Sequence, residues 1–278
     1  MLKRPVNTIL ITGCSSGIGY VSAKGLRERG YRVFASARKF KDVERLKAEG
    51  FEAVQLDLDD SASLKAAVAQ VLEWTGGSLD ALFNNGAFGQ VGAVEDLSRK
   101  VLREQFETNL FGTIELTNLV LPVMRRQGHG RILFNSSVLG FIALPYRGAY
   151  VASKFALEGL VDSLRLELYG TRIYPVLIEP GPILTKFREN AYLKFKQNID
   201  VEHSPHREVY AKMEQRLATE GPVVPFTLPP EAVLQKVVYA LEKPCPKVRY
   251  SVTVPTYAFA FLKRILPVRA LDWVSRKV

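Results

Sequence analysis

Short apolar runs rich in β-branched residues alternate with amphipathic stretches, and this alternation is the strongest constraint on the fold. The strand-like runs are residues 9–11, 33–35, 53–56, 79–83, 132–134 and 174–178. The stretches with helical periodicity between them are residues 20–29, 61–74, 110–126 and 149–169. Near-continuous apolar strands joined by helices are typical of a sheet that is covered on both faces. We therefore predict an α/β fold, with a single doubly wound parallel sheet and helices on both of its faces.

The alternation stops after Pro180. Residues 186–226 form a long polar and aromatic stretch, and a segment of this length inside a compact fold is typical of a lid over a binding site. Prolines and an acidic residue between Thr227 and Glu231 predict the start of a helix that continues to about Leu241. We expect one domain over residues 1–255, with residues 186–226 as a substrate lid, and a C-terminal extension over residues 256–278.

Composition excludes several classes of protein. Apolar residues make up 47% and charged residues 24% of the chain, a balance that excludes collagen-like and disordered proteins. Only Cys14 and Cys245 are present, which excludes a disulfide scaffold and favours a reducing compartment. No apolar run reaches the roughly 18 residues of a transmembrane helix, and the first strand begins too early for a signal peptide before it. We expect a cytoplasmic protein.

The net charge of +10, from 38 basic and 28 acidic residues, is concentrated near the C-terminus. Residues 243–278 contain eight basic residues and a single acidic one, Asp272. Apolar side chains recur there at helical spacing beside the basic ones: Tyr257, Phe261, Leu262 and Ile265. A basic amphipathic helix is typical of a peripheral contact with a membrane surface or a partner. Docking onto its own domain, or a dimer contact, is the alternative. We expect no nucleic-acid binding, because no recognition motif accompanies the charge.

A glycine-rich turn of the form G-x-x-x-G-x-G follows the first strand and opens the first helix. Glycines at these positions allow a tight turn and let a pyrophosphate approach the free N–H groups of a helix N-terminus. A simple tight connection is the alternative, but the position directly after the first strand favours nucleotide binding. The residues predicted to bind are Gly13, Ser15, Ser16, Gly17, Ile18 and Gly19.

Tyr150 and Lys154 lie four residues apart in a strongly helical stretch, so they share one helix face. A free phenol has a pKa of about 10, and a neighbouring ammonium lowers that value towards a range useful for proton transfer. Ser137 follows the preceding strand, and a hydroxyl at the carboxyl end of a parallel strand points into the ligand-binding crevice. A core tyrosine beside a surface lysine is the other interpretation of the pair.

Six ordered elements together resemble the short-chain dehydrogenase/reductase family, over residues 7 to about 255. They are the glycine turn, Asn84-Asn85, Asn109, Ser137, the Tyr150/Lys154 pair and Pro180-Gly181-x-x-x-Thr185. The glycine turn and residues 152–160 look most like the hydroxysteroid and retinol dehydrogenase branch and its bacterial aldehyde-reductase relatives. The chain departs from the family at Gly86-Ala87, where the family has alanine before glycine. The resemblance implies a Rossmann-type sheet and makes residues 1–255 the dinucleotide-binding and catalytic domain.

The resemblance also implies a role for each matching residue. Tyr150 is the proton donor to a carbonyl oxygen, or the base for an alcohol, and Lys154 lowers its pKa and holds the nicotinamide ribose. Ser137 hydrogen-bonds the substrate oxygen, and Asn109 supports a water-linked proton relay. Hydride transfer leaves alkoxide character on that oxygen, which the two hydroxyls would stabilise. The cofactor-binding residues beyond the glycine turn are Asp57, Leu58, Asn85, Tyr150, Lys154, Pro180, Gly181, Ile183 and Thr185.

The end of the second strand predicts which nicotinamide dinucleotide is bound. Folds that select NAD place an acidic residue there for the ribose 2′-OH, whereas this chain has Ala37 followed by Arg38. A guanidinium favours a 2′-phosphate through bidentate contact. We predict NADP, read by Arg38 with Ser16 and Lys39 as helpers. A solvated basic loop is the alternative.

Two loops rich in aromatic and apolar residues predict a lipophilic substrate. The predicted substrate-binding residues are Ser137, Phe141, Leu144, Tyr150, Phe187 and Tyr192. Packing of the lid on the core is the alternative for the apolar members of this set. We predict no metal site, because His203 and His206 in the lid lack a firm ligand geometry.

The predicted function is NADP-dependent interconversion of a carbonyl and an alcohol on an apolar molecule, such as a steroid, retinoid or long-chain aldehyde. A catalytically silent protein that senses NADP on the same fold is the alternative, and the complete set of Ser137, Tyr150 and Lys154 argues against it. Family members commonly form dimers or tetramers through the helices expected at residues 110–126 and 149–169, which implies a homo-oligomer.

Overall fold

Parallel strands form one sheet in the computed structural model, which describes residues 7–219 and 221–277. The strands are β1 (Thr8–Ile11), β2 (Arg32–Ala37), β3 (Glu52–Gln55), β4 (Ala81–Asn84), β5 (Gly130–Asn135), β6 (Ile173–Glu179) and β7 (Arg249–Ser251). Their order across the sheet is β3-β2-β1-β4-β5-β6-β7, and each neighbouring pair is parallel. The predicted α/β fold with a doubly wound parallel sheet is confirmed. Residues 1–6 of the predicted domain, Glu220 of the lid and Val278 of the extension lie outside the described residues.

Helices connect the strands and cover the sheet. They are α1 (Gly17–Glu28), α2 (Phe40–Ala48), α3 (Ser61–Thr75), α4 (Arg99–Phe106), α5 (Gly112–Gln127), α6 (Gly148–Glu167), α7 (Phe187–Asn198), α8 (Arg207–Ala218), α9 (Glu231–Glu242), α10 (Val254–Ile265) and α11 (Val268–Ser275). A π-helical turn, Glu107–Phe111, joins α4 to α5, and short 3-10 turns lie at Val94–Asp96 and Val138–Gly140.

The side chains of β1 show how both faces of the sheet are buried. Ile9 and Ile11 pack in the layer formed with α1, α2 and α9, whereas Leu10 packs in the layer formed with α3, α5 and α6. All three are fully buried, and each such burial stabilises the fold by about 1.5–3 kcal/mol. A strand that is apolar on both faces can be satisfied only inside a helix–sheet–helix sandwich.

The segment predicted as a polar lid, residues 186–226, contains the two helices α7 and α8. Only a narrow stripe of each helix is buried: Ala191 and Phe195 in α7, and Tyr210 and Leu217 in α8. The remaining positions are mostly charged or polar, which hides the helical period in the sequence. The structure also adds α2, α4 and the short edge strand β7, which periodicity did not indicate.

The carboxyl ends of the strands gather the predicted site residues at one edge of the sheet. β1 lies between β2 and β4, where the strand order reverses direction. Ligands of open α/β sheets bind in the crevice at such a reversal. Because all strands are parallel, the loops after β1, β4, β5 and β6 open at this same edge.

The C-terminal extension docks on the domain with one face. Phe259 of α10 is buried against Leu139 and Ile142, and Leu271 and Val274 of α11 pack on the same cluster. The opposite face of α10 and α11 leaves apolar side chains exposed: Tyr257, Phe261, Ile265, Val268 and Trp273. Within residues 7–219 and 221–277, every helix is too short or too polar to cross a bilayer.

Candidate active site

The turn between β1 and α1 closes so tightly that it requires glycine. Gly13 and Gly17 have φ angles of 72° and 59°, which glycine adopts without strain. A Cβ on Gly19 would lie 2.3 Å from the carbonyl oxygen of Gly13, so a larger residue there would force the backbone apart. Cys14 in this turn is fully buried, and burial raises the pKa of its thiol to about 12. The thiol is therefore neutral and packs in the core.

The N-terminus of α1 suits an anionic ligand. Ser16 precedes the helix without accepting a hydrogen bond from its first turn, and that turn carries no acidic side chain. Its N–H groups and the helix dipole therefore favour a phosphate group. Thr185 lies against the same turn, because a Cβ on Gly17 would be 3.1 Å from the Thr185 Cβ. The glycine turn and Thr185, which are predicted to bind different parts of a dinucleotide, therefore lie in contact. Together they fit such a cofactor.

The Thr12 hydroxyl holds the turn that follows β4. It accepts hydrogen bonds from the main-chain N–H groups of Asn85 and Gly86, both at 2.8 Å. A Cβ on Gly86 would lie 3.0 Å from the Leu58 Cδ1 and 3.3 Å from the Thr12 Oγ1. The inverted order of Gly86 and Ala87 therefore places the glycine where a Cβ would press on Leu58 and Thr12.

Basic side chains surround the end of β2. Arg38 and Lys39 are exposed, and Gln55 Nε2 donates to the Arg38 carbonyl oxygen at 3.0 Å, which fixes the loop. Arg45 of α2 lies at the same edge, and its Nη2 donates to the carbonyl oxygen of Ser15 at 2.8 Å. The sequence analysis missed Arg45, because only the folded α2 brings it to the glycine turn.

Asp57 and Leu58 follow β3 and lie close to the same crevice. The Asp57 carboxylate accepts a hydrogen bond from the N–H of Asp59 at 3.1 Å. A Cβ on Gly112 would lie 1.8 Å from the Leu58 carbonyl oxygen, so the start of α5 packs directly on this loop. The contact of Leu58 with Gly86 joins the loop to the turn after β4.

Tyr150 and Ser137 meet at the carboxyl edge of β5. Tyr150 lies in the first turn of α6, and Ser137 precedes the short 3-10 turn after β5. Burial raises the pKa of the Tyr150 phenol to about 12, and a hydrogen bond from Ser137 acts in the opposite direction. The Ser137 Oγ accepts a hydrogen bond from the Leu139 N–H at 3.1 Å. Its own proton is therefore directed elsewhere and is available to a phenol or a substrate oxygen.

Lys154 is only 2% exposed, and its ammonium donates to the main-chain carbonyl oxygen of Asn135. Its Nζ lies 5.7 Å from the centroid of the Tyr150 ring. Burial lowers the pKa of Lys154 to about 8, and Glu158 partly opposes this shift. That Lys154 lowers the Tyr150 pKa stays a prediction. The desolvation of the phenol dominates, and the ammonium is bonded to Asn135.

Asn109 lies in the π-helical turn, and its side chain is fully engaged. Its Oδ1 accepts a hydrogen bond from the N–H of Phe88 at 3.1 Å, and its Nδ2 donates to the Phe88 carbonyl oxygen at 3.0 Å. The Nδ2 also donates to the Ser153 Oγ at 3.1 Å. Asn109 therefore fastens the segment after β4 to α6 beside Tyr150. The predicted proton relay would have to use its main-chain carbonyl, because the amide is occupied.

The segment after β6 lies between the Ser137 loop and the C-terminal extension. The Pro180 carbonyl oxygen accepts a hydrogen bond from the N–H of Val138 at 2.8 Å. A Cβ on Gly181 would lie 2.1 Å from the Thr253 Oγ1, so Thr253 presses directly on the segment. Ile183 continues as a parallel bridge to Leu228 at the base of the lid. The sequence analysis missed Thr253, for which Gly181 was the only signal.

A cavity of about 190 Å³ lies beside Tyr150, beneath α7 and α8. Its walls include the apolar side chains of Val91, Leu139, Ala191 and Leu217. Phe187 packs edge-on against Tyr150, with ring centroids 5.3 Å apart. Three arginines, Arg147, Arg188 and Arg216, also line this cavity, and the sequence analysis did not single them out.

The predicted substrate-binding residues divide between this cavity and its surroundings. Tyr150 and Phe187 line the cavity. Phe141 and Leu144 instead pack in the cluster that includes Phe259 of α10. Tyr192 lies on the far side of α7, where its hydroxyl donates to the Glu214 carboxylate at 2.9 Å. These last three side chains support the walls and the lid and are not part of the lining.

The two histidines of the lid engage different carboxylates. His206 Nε2 lies 2.6 Å from the Glu95 Oε1, and His203 Nδ1 lies 2.8 Å from the Asp200 Oδ2. In the part of the chain that the structure describes, no group of three or more His, Cys, Asp or Glu side chains is arranged to hold a metal ion.

Comparison with known proteins agrees with this geometry. Residues 7–194 match the family model of the short chain dehydrogenases. The chain is 43% identical over 265 residues to the uncharacterized oxidoreductase YbbO of Escherichia coli, covering 95% of this chain and 92% of that protein. It is 35% identical over 263 residues to human 17-beta-hydroxysteroid dehydrogenase type 1, covering 88% and 77%. It is 40% identical over 190 residues to human retinol dehydrogenase 8, covering 65% and 60%.

Solved structures share the whole fold. A short-chain dehydrogenase from Streptomyces avermitilis superposes with a TM-score of 0.77 at 27% identity, covering 97% of this chain and 95% of that one. A short chain dehydrogenase/reductase from Burkholderia phymatum in complex with NAD superposes with a TM-score of 0.78 at 23% identity, covering 95% of each.

The fold and these matches define an oxidoreductase of the class that binds a nicotinamide dinucleotide. The chain belongs to the short chain dehydrogenase family and lies close to its hydroxysteroid and retinol dehydrogenase branch. The resemblance seen in the sequence is confirmed.

Proposed function

We propose that the protein interconverts a carbonyl and an alcohol on an apolar substrate, with NADP as cofactor and Tyr150 as general acid and base. The observation that carries the proposal is the position of the phenol. Tyr150 stands beside Ser137 and lines the cavity beneath α7 and α8. A carbonyl group that enters this cavity can therefore accept hydrogen bonds from both hydroxyls.

The chemistry follows from the charge that develops on the substrate oxygen. A bound nicotinamide dinucleotide supplies the hydride that adds to the carbonyl carbon. Ser137 and Tyr150 donate hydrogen bonds to the nascent alkoxide, and Tyr150 gives up its proton to complete the alcohol. In the oxidative direction Tyr150 takes that proton back. Lys154 stabilises the phenolate form electrostatically, and the glycine turn and Thr185 hold the cofactor.

The preference for NADP is supported by the charges at the end of β2. Arg38 and Lys39 are exposed to a ligand, and the guanidinium of Arg45 lies at the Ser15 carbonyl oxygen. Arg45 is paired with the Glu49 carboxylate at 2.7 Å, so the two exposed cations Arg38 and Lys39 are the groups that would favour a 2′-phosphate over a 2′-hydroxyl on the adenosine ribose. Ala37, which is buried, stands at the position where folds that select NAD have an acidic residue.

The apolar walls of the cavity favour a substrate such as a steroid, retinoid or long-chain aldehyde. Val91, Leu139 and Phe187 would bury the hydrocarbon part of such a molecule. The test is a screen of NADPH consumption over steroids, retinals and aliphatic aldehydes, with Tyr150→Phe as the control. We expect turnover that the control variant lacks.

A catalytically silent sensor of NADP is the second candidate, and the same screen separates the two. Tight binding of NADPH in calorimetry, without consumption of NADPH over the whole panel, would establish the sensor. The buried Lys154 argues for an enzyme, because a buried ammonium is costly unless it serves a purpose.

The exposed face of α5 and α6 supports a homo-oligomer. A shallow apolar depression of about 380 Å³ lies there, away from Tyr150, lined by Phe111, Ile114, Leu119 and Leu160 among others. Phe111 and Leu160 are 52% and 44% exposed. Contiguous apolar surface of this kind is typical of an interface between proteins. We propose that a second copy of the chain covers it, in a dimer or tetramer.

We also propose that the enzyme is cytoplasmic and touches anionic lipid through α10 and α11. Both cysteines are free thiols, which suits a reducing compartment. The exposed apolar face of these helices lies beside Lys263 and Arg264, as in interfacial helices.

The lipid contact is tested with point variants of the full chain, since truncation would uncover Leu139 and Ile142. Phe261→Asp should reduce sedimentation with phosphatidylglycerol vesicles. Tyr169→Asp, at an exposed site elsewhere, should not. Equal sedimentation of both variants and the wild type would refute the proposed lipid contact.

A further inference from the structure

Two of the three arginines that line the substrate cavity, Arg147 and Arg216, come from different elements. Arg147 precedes α6, just before Tyr150, and Arg216 lies in α8. Both line the same cavity of about 190 Å³ as Tyr150. The phenol and these two cationic groups thus border one small space, whose other walls are apolar apart from Gln90 and Arg188.

The charges of these two guanidiniums are not neutralised by the residues that the structure describes. No carboxylate of residues 7–219 and 221–277 forms an ion pair with Arg147 or Arg216. Burial and the neighbouring Arg216 together lower the pKa of Arg147 to about 10. Arg147 therefore stays charged at neutral pH and, although largely buried itself, lies beside the exposed cation Arg216, an arrangement that a bound anion would stabilise.

The backbone holds Arg147 in this position at a cost. Tyr146 has a φ angle of 61°, in the left-handed region that residues other than glycine rarely adopt. Gly92 N–H donates to the Tyr146 carbonyl oxygen at 3.0 Å, and Gly92 and Arg147 form a parallel bridge. The Tyr146 ring packs against His206 and Tyr210 of the lid. Strain that the surroundings maintain is common at ligand-binding positions.

Neither structural bonds nor the cofactor accounts for the two arginines. Arg188, the third arginine of the lining, donates to the carbonyl oxygens of Thr219 and Gly221 and so fastens the lid. Arg147, by contrast, has a single long bond, of 3.4 Å, to the carbonyl oxygen of its neighbour Tyr146. The phosphates of the cofactor belong to the glycine turn and to Arg38, at other loops.

We propose that the preferred substrates are oxo acids: aldehydes or ketones, and the matching alcohols, whose hydrocarbon chain ends in a carboxylate that Arg147 and Arg216 bind. This inference rests on the proposed function, since the carbonyl of the same molecule reaches Tyr150 and Ser137. The apolar walls bury the chain between the two ends. A guanidinium binds a carboxylate through paired hydrogen bonds, so the arginines select molecules by charge, and the distance to Tyr150 selects them by length.

The test compares substrates that differ only in charge. NADPH consumption is measured with a series of oxo acids of increasing chain length up to azelaic semialdehyde, and with the methyl ester of each. The wild type should favour at least one acid over its ester by roughly tenfold or more in kcat/KM, as charged hydrogen bonds imply. Arg147→Met and Arg216→Met should each remove most of that preference, measured as the ratio of kcat/KM for the acid over its ester within each variant. Arg147→Lys should retain part of the wild-type preference for the acid over its ester.

Control variants keep the outcomes separate. Arg207→Met removes a charge from an exposed position of α8 outside the lining and should retain the wild-type preference. Thermal melting of each variant shows that it is folded. Glu220→Gln, at the lid residue outside the described ranges, should also retain the preference. A preference for the acid over its ester that appears in Glu220→Gln but not in the wild type would overturn the proposal.

Failure of this inference differs from failure of the proposed function. Equal turnover of acids and esters, in the wild type and in both methionine variants, overturns the inference and leaves the carbonyl reductase intact. If no carbonyl compound is consumed, the proposed function fails. Calorimetry with azelate and its dimethyl ester on the NADPH complex then decides the inference alone: binding of azelate that Arg147→Met abolishes supports an anion site, and no binding refutes it.

Discussion

The ammonium nitrogen of Lys154 lies 2.6 Å from the main-chain carbonyl oxygen of Asn135. This bond joins the second turn of α6 to the last residue of β5, directly before the loop that carries Ser137. The same lysine that follows Tyr150 on the helix therefore also fixes the strand end that presents the serine. Loss of Lys154 should therefore disturb both Tyr150 and Ser137, the two hydroxyls proposed to bind the substrate oxygen.

Replacement of Tyr150 by phenylalanine should abolish most of the turnover. The variant keeps the ring and its packing on Phe187 but has no proton to give. We expect kcat to fall by about 10²–10⁴-fold, the usual contribution of general acid catalysis. Lys154→Met should fall at least as far, because it also releases Asn135. Tyr169→Phe, at an exposed position, is the control, and comparable activity in all variants would refute the assignment.

Replacement of Arg38 by aspartate should reverse the cofactor preference. A carboxylate at this position repels the 2′-phosphate of NADP and accepts a hydrogen bond from the 2′-hydroxyl of NAD. The ratio of kcat/KM for NADPH over NADH should fall by roughly tenfold to a hundredfold. Lys65→Asp makes the same charge change on α3, away from the site, and should leave the ratio alone. An unchanged ratio of kcat/KM for NADPH over NADH in Arg38→Asp would refute the predicted preference for NADP.

Leu58 should make glycine necessary at position 86, because its side chain leaves no room for a methyl group there. Gly86→Ala adds a methyl group 3.0 Å from the Leu58 Cδ1, and such overpacking costs about 1–3 kcal/mol of the free energy of unfolding. In a background of Leu58→Ala the same change should cost less. Urea unfolding of the four proteins in the double-mutant cycle measures this coupling. Strict additivity would show that Leu58 is not what excludes the methyl group.

The buried carboxyl of Glu158 should make the protein less stable as the pH rises. Glu158 is 6% exposed, and burial raises its pKa to about 7. Arg249 bonds it at 3.0 Å but is shared with Asp162 and Glu179. Between the unfolded value of about 4.3 and the folded value, the folded protein holds a proton that the unfolded chain has lost. Stability therefore falls across that interval, by at most about 1.4 kcal/mol per pH unit.

The variant Glu158→Gln isolates this effect, because its amide does not titrate. The free energy of unfolding of the wild type relative to the variant should decrease between about pH 5 and about pH 8. Glu167→Gln, at an exposed position of α6, should track the wild type at both values. A difference between wild type and Glu158→Gln that stays constant with pH would show that Glu158 titrates as an ordinary surface carboxyl.

A charge on the apolar depression of α5 and α6 should separate the subunits of a homo-oligomer. Leu160→Glu would bury a carboxylate in the interface, which is costly without a partner. Light scattering should report a smaller particle for this variant than for the wild type. Tyr239→Glu, on α9 at the opposite face of the sheet, should keep the wild-type mass. A wild type that is already monomeric contradicts the proposed oligomer.

The positions of residues at strand ends could be predicted from the sequence. Because all strands are parallel, the residues that follow β1 and β5 must open at one edge, and Gly13 and Ser137 could be placed there from their positions. Asn85 and Thr185 were matched by resemblance to the family. The π-helical turn at Asn109 was matched only by resemblance.

Arg45, Arg147 and Thr253 could not be found in this way, because each reaches the site through the packing of a helix or loop on another element. The helices α7 and α8 of the lid could not be predicted for a different reason. Their buried stripes are narrow, and the charged residues between them obscure the period on which a helix prediction relies.

The contact between Thr253 and Gly181 sets an order of events during synthesis. Phe259 covers Leu139 next to the serine loop, and Thr253 supports the segment that leads to Thr185. A ribosome has therefore made Ser137, Tyr150 and Lys154 long before it makes the residues that hold them in place. The growing chain therefore carries all of its proposed chemical groups before it has the contacts on Gly181 and Leu139, which can form only after α10 has left the exit tunnel.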